Sequence, residues 1–171
     1  LQLQPLLKKI METVATILEA DRATLFVHDA KTNELWALVS RDEGLSQIRF
    51  PSHMGIAGAV FTSGQTINIP DAYADSRFNP EVDRKTGYRT RTMLAAPIRN
   101  RAGKIVGVFQ LINRLQGTFV PEDERFLELL SVHAALAVEN ATLHASALER
   151  ERQEREIALA QEIQRKIQPE K

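Results

Sequence analysis

Leu3, Leu6, Leu7, Ile10, Val14, Ile17 and Leu18 recur at three- and four-residue spacing, so the chain opens inside an amphipathic helix running to about Ala20. The period then changes. Arg22 to His28 is β-prone, Asp29 to Asn33 carries turn formers, and Glu34 to Ser40 alternates apolar and polar residues, which predicts a strand hairpin. Gln47 to Phe50 predicts a third strand. Behind Pro51, Gly55 to Phe61 predicts a short buried helix that Gly64 ends. Thr66 to Ile69 reads as a short strand, and Thr92 to Arg99 and Ile105 to Asn113 as two more joined by the Asn100–Gly103 turn. The fold class expected is α+β, with a mostly antiparallel central sheet flanked by helices.

From Pro121 to Gln168 no residue breaks a helix, which predicts one element about 70 Å long, more than one small domain can cover. Leu129, Leu136 and Leu143 repeat every seven residues, with Phe126, His133, Asn140 and Ala147 at the other core spacing of a dimeric coiled coil. Asn140 in such a seam selects register and two strands. The heptad weakens at Arg150 and Glu154, and apolar residues resume at Ile157, Ala160, Ile163 and Ile167 in altered phase. The charges from Glu149 to Glu156 read as a solvated helix face.

With 171 residues, one domain of ordinary size plus an appended element is the expectation. Apolar residues make up 43% and charged residues 26%, as in globular chains. Basic and acidic residues balance at 22 each, which removes the positive field that drives binding to nucleic acid or anionic lipid. No apolar run approaches the roughly 20 residues of a membrane helix. Cysteine is absent, which excludes disulfides, zinc thiolates and thiol nucleophiles and fits a cytoplasmic setting.

Catalytic chemistry finds no foothold. His28, His53, His133 and His144 lack metal-ligand spacing, and no phosphate loop or nucleophile elbow occurs. Neither an enzyme nor a metal or cofactor is expected. Asp123 and Glu124, just inside a helix start behind Pro121, are better placed to complement the helix dipole than to form an acid/base pair. The long polar stretch from Asn68 to Arg91 is rich in residues that hold sugars and phosphates through neutral hydrogen bonds, and it reads as a pocket lid. Taken alone, it leaves the ligand class open.

Five segments, Arg22–Phe26, Gly55–Gly58, Asn68–Tyr73, Asp83–Arg91 and Gln110–Asn113, resemble in order those of a GAF domain of the cyclic-nucleotide-binding subfamily found in phosphodiesterases and cyanobacterial adenylyl cyclases. The resemblance spans about Ile10 to Leu143. The subfamily's Asn, Lys, Phe, Asp, Glu signature appears as Asn113, Arg114, Phe119, Asp123 and Glu124, with arginine in place of lysine. It implies a tie between the last strand and the final helix, including an Arg114–Asp123 salt bridge. Val120 stands where a capping Ser or Thr is expected, so this helix start leans on Glu122 and Asp123.

Carried over by position, the resemblance implies that Thr24 and Arg41 meet the purine edge, Ile56 and Ala57 wall the base, and Asn79 lies by the phosphate. It places Asp83, Thr86 and Thr90 over ribose and phosphate, with Gln110 reaching in from its strand. The plainer alternative makes Ile56 and Ala57 core residues and Asp83 and the threonines caps. Arginine can only donate hydrogen bonds, which suits acceptors on either purine; the ligand implied is cAMP ahead of cGMP because Arg41 and Gln110 resemble the pattern of the cyanobacterial cyclase domains. Residues 1–20 are expected to form a helix packing on domain and dimer, 21–143 the sensor, and 144–171 a signalling helix. Its far end, Glu156 to Pro169, resembles the linker into bacterial serine phosphatases, which implies an output domain in a longer protein. A homodimer through the terminal helices is the partner expected.

Overall fold

A computed structural model describes residues 3–40 and 48–167. Helix α1 spans Leu3–Ile17, strands β1 and β2 span Ala20–Asp29 and Glu34–Ser40, and β3 is Arg49–Pro51. Helix α2 is Gly55–Ser63, β4 is Ile67–Ile69, α3 is Glu81–Thr86, β5 is Met93–Arg99, β6 is Ile105–Arg114 and α4 is Pro121–Ile167. The strands form a six-stranded sheet in the order β3-β2-β1-β6-β5-β4, and each pairing is antiparallel.

Strand alternation divides the sheet between two cores. Leu25 and Val27 of β1, Leu94, Ala96 and Ile98 of β5 and Phe109 and Leu111 of β6 meet Leu7, Met11, Val14 and Leu18 from the N-terminal segment and Leu127, Ala134 and Val138 of α4. The opposite face presents Phe26, Met93, Ala95 and Val108 to Ile56, Ala57 and Val60 of α2. A Cβ at Gly107 would lie 2.2 Å from the Phe26 carbonyl oxygen, so only glycine lets β6 approach β1 there. Gly64 closes α2 in the left-handed region at φ 72°, its N–H donating to Val60.

The N-terminal helix stops at Ile17 rather than Ala20, because Glu19 turns left-handed at φ 53° and Ala20 already pairs with Arg114. Its buried stripe is Leu7, Met11, Val14 and Ala15, continued by Leu18 just beyond its end, whereas Ile10 and Ile17 are exposed. Phe126, read as a coiled-coil position, instead packs on the domain core. Leu129, Leu136 and Leu143 remain exposed at 60%, 54% and 68%. The residues fall into two units by their contacts, one ending at Val138 and the other starting at Glu139. The second is helical to Ile167. Among the described residues no helix is long and apolar enough to cross a membrane.

Candidate functional site

The sheet face that carries α2 also floors a cavity of about 490 Å³. Thr24 and Phe26 alternate onto this face from β1, Gln110 and Ile112 from β6, and Met93 from β5, because Thr24 pairs with Gln110 and Met93 with Ile112. One wall is the first turn of α2, where Gly55, Ile56 and Ala57 line the cavity and Met54, the cap residue, gives no side-chain hydrogen bond. That leaves the positive end of a helix dipole open to an anion. The third side is the segment from Phe78 to Thr90, including α3.

The structure brings Thr24, Ile56, Ala57, Asn79, Asp83, Thr86, Thr90 and Gln110 to this one cavity. Arg41 lies outside the described residues. Gln110 is 8% exposed and lines the cavity from its strand. Ile56 and Ala57 serve both readings at once, since they belong to the core and wall the cavity.

Asp83 is 7% exposed and works within the chain. Its carboxylate accepts the Thr90 N–H and the Thr90 hydroxyl, each at 2.8 Å, and the Tyr73 hydroxyl at 2.7 Å. The last bond raises the Tyr73 pKa above its ordinary value. Thr86 donates its hydroxyl to the Val82 carbonyl at 2.8 Å, and Asn79 accepts the Glu81 N–H at 3.1 Å. These bonds build the lid's own shape.

Asn113 fixes the far edge of the lid. Held at φ 59°, its Oδ1 accepts the N–H groups of Arg91 and Thr92, and its Nδ2 donates to the Tyr88 hydroxyl and the Arg89 carbonyl, each at 2.9 Å. The signature asparagine thus ties β6 to the lid's return segment, not to the final helix. The helix tie belongs to its neighbours. Arg114 Nε stands 3.5 Å from Asp123, whose carboxylate also accepts the Val120 N–H at 2.8 Å in half of a capping box. Phe119 is buried in the core and its carbonyl accepts from Asn68. Glu124, half-buried, lies in the first turn of α4.

Sequence reasoning missed Tyr88 and Arg22, both of which line the cavity. Tyr88 donates to Asp21 at 2.6 Å, and the Arg22 guanidinium lies 3.6 Å over its ring. Burial, and then the Asp21 bond, push the Tyr88 hydroxyl up to about 12. Arg22 stands two residues before Thr24, on the same strand face, and that alternation was available in the sequence. The contact with Tyr88 joins positions far apart and was not.

Residues 2–138 match the GAF domain family. The chain is 37% identical over 163 residues to a probable 3′,5′-cyclic phosphodiesterase of Caenorhabditis elegans, covering 88% of this chain and 22% of that protein. It is 35% identical over 161 residues to a dual 3′,5′-cyclic-AMP and -GMP phosphodiesterase 11A of Takifugu rubripes, covering 86% of this chain and 18% of that one. It therefore spans about a fifth of those relatives. In fold it resembles the GAF domain of a Coxiella burnetii phosphoenolpyruvate-protein phosphotransferase, with a TM-score of 0.74 at 22% identity over 85% of this chain and 87% of the other.

Proposed function

We propose, on the premise that this chain belongs to the GAF domain family, that it is a regulatory domain whose cavity takes a cyclic nucleotide, cAMP in preference to cGMP, and reports occupancy to an output domain of a longer protein. No resident cofactor or metal is invoked, and the domain itself performs no catalysis. The observation that carries this reading is a cavity of about 490 Å³ that gathers Thr24, Ile56, Ala57, Asn79, Thr86 and Gln110. That volume falls in the range, roughly 300–1,000 Å³, of small-molecule sites. Phe26, Ile56, Ala57 and Met93 offer apolar walls to a base, and the open end of α2 suits a single phosphate charge.

The reading of adenine ahead of guanine rests on the resemblance of Arg41 and Gln110 to the cyanobacterial cyclase pattern, and the hydrogen-bond inventory accommodates it. An amide matches the adenine N6 donor and N7 acceptor together, and Thr24 can likewise donate or accept. A carboxylate is the group that would best take guanine's ring donors. The buried carboxylate in this cavity, Asp83, is already engaged by Tyr73 and Thr90.

Ligand binding orders the lid around α3, and the signal leaves through a homodimer formed by α1 and α4. The exposed leucines of α4 support the pairing. Isothermal calorimetry of purified protein against cAMP and cGMP in parallel tests the reading, with saturable binding expected and cAMP the tighter. Silence with both, in folded and ligand-free protein, overturns it in favour of a dimerising GAF module or a sensor of another metabolite.

A further inference from the structure

Between Tyr88 and Thr92 exposure alternates residue by residue. Thr90 and Thr92 are buried and Tyr88 half-buried, while Arg89 and Arg91 are exposed. The inward residues Tyr88 and Thr90 line the ligand cavity. The two outward arginines line a second cleft, of about 450 Å³, on the other side of the same segment. Thr118 and Gly117 border it as well, Gly117 at φ 70° with open space beside its Cα.

The backbone carrying these arginines is held by hydrogen bonds within the chain. The Arg89 carbonyl accepts from Asn113 at 2.9 Å, the Arg91 N–H donates to Asn113, and the Arg91 carbonyl accepts the Ala72 N–H at 2.8 Å. The Arg89 guanidinium rests 4.4 Å over the Tyr73 ring, a contact that leaves its N–H edge available. Among the described residues neither arginine forms an ion pair, although one carboxylate, Asp71, lines the cleft.

We propose that this cleft is a second binding site, for a small phosphorylated ligand gripped by Arg89 and Arg91. Two guanidinium forks held on one face suit the several oxygens of a phosphoryl group, which accept paired N–H bonds. Thr90 lines both spaces, but neither arginine lines the first cavity, so the site stands whether or not that cavity takes a cyclic nucleotide.

Calorimetry with inorganic pyrophosphate and with ADP, at matched ionic strength, is the test. Saturable binding of either is expected, weakened about tenfold or more in the double variant Arg89→Gln/Arg91→Gln. Both side chains are exposed, so the variant's melting temperature is expected to fall by no more than the loss of the Arg89–Tyr73 contact and to certify its fold. Lys85→Gln, in the first cavity, is expected to leave pyrophosphate binding intact. Absence of binding, equal binding by the double variant, or loss in Lys85→Gln instead overturns the site.

Discussion

Asp83 and Thr90 hold the lid shut on itself: one carboxylate takes both the N–H and the hydroxyl of Thr90 at 2.8 Å, with the Tyr73 hydroxyl as a third donor. The segment between them is α3 and its exit. Asp83→Ala leaves two buried Thr90 donors unmatched and is expected to cost roughly 1–3 kcal/mol. Thermal melting measures that loss, and hydrogen exchange should show faster opening confined to residues 81–92. Unchanged exchange there would mean that the lid is held by something else.

Asn113 carries more of the fold per atom than its size implies, since it satisfies four groups of the lid's return segment from a left-handed backbone. Asn113→Ala removes these bonds at a φ that alanine tolerates poorly, and is expected to cost about 2–4 kcal/mol. Denaturant unfolding checks it. Arg114→Lys, which keeps the charge facing Asp123, should cost well under about 1 kcal/mol.

The contrast between those two residues marks what was legible in the sequence. Strand positions were legible locally, whereas Thr24 and Gln110 were assigned to the site through resemblance and Met93 was not singled out; the pairing of their strands brings them to one face. The length of α4 and the glycine stop of α2 were likewise local signals. Helix α3 was not legible, because Glu81–Thr86 is a single polar turn or two without an apolar period. Nor was the destination of the Asn113 side chain, which depends on a segment more than twenty residues away. Asp83 lines the cavity, and its engagement with Tyr73 and Thr90 is a tertiary fact that no spacing encodes.

Tyr88 links the lid to alkaline stability. Its hydroxyl is raised from 10.0 to about 12 in the native state by burial and by the bond to Asp21. As pH rises past about 10 the unfolded chain gives up a proton that the native chain keeps, so stability declines between about 10 and 12 and is complete below that window. Tyr88→Phe should flatten the profile over the same window. An equally steep decline in the variant would assign it to another group.

Gln110 separates binding from folding. Gln110→Leu replaces a cavity-lining amide by an apolar group of similar volume, so melting temperature is expected to change little. If the amide meets the base, affinity for cAMP should fall by about tenfold or more. A variant that binds cAMP as the parent does would remove Gln110 from the site while leaving the cavity itself in question.

The dimer reading turns on surface that the domain leaves bare. Leu129, Leu136 and Leu143 are 60%, 54% and 68% exposed at heptad spacing, and Ile10 and Ile17 of α1, also seven apart, are 39% and 57% exposed. Large apolar side chains exposed at heptad spacing along each helix call for a covering surface, and a second copy with the same spacing is the partner this reading supplies. Sedimentation analysis should find a dimer, converted to monomer by Leu136→Glu. Asn140→Leu tests the register role of the polar seam position, since loss of the amide should stabilise association yet admit higher oligomers. A parent chain that sediments as a monomer at high concentration would show that this surface serves another partner.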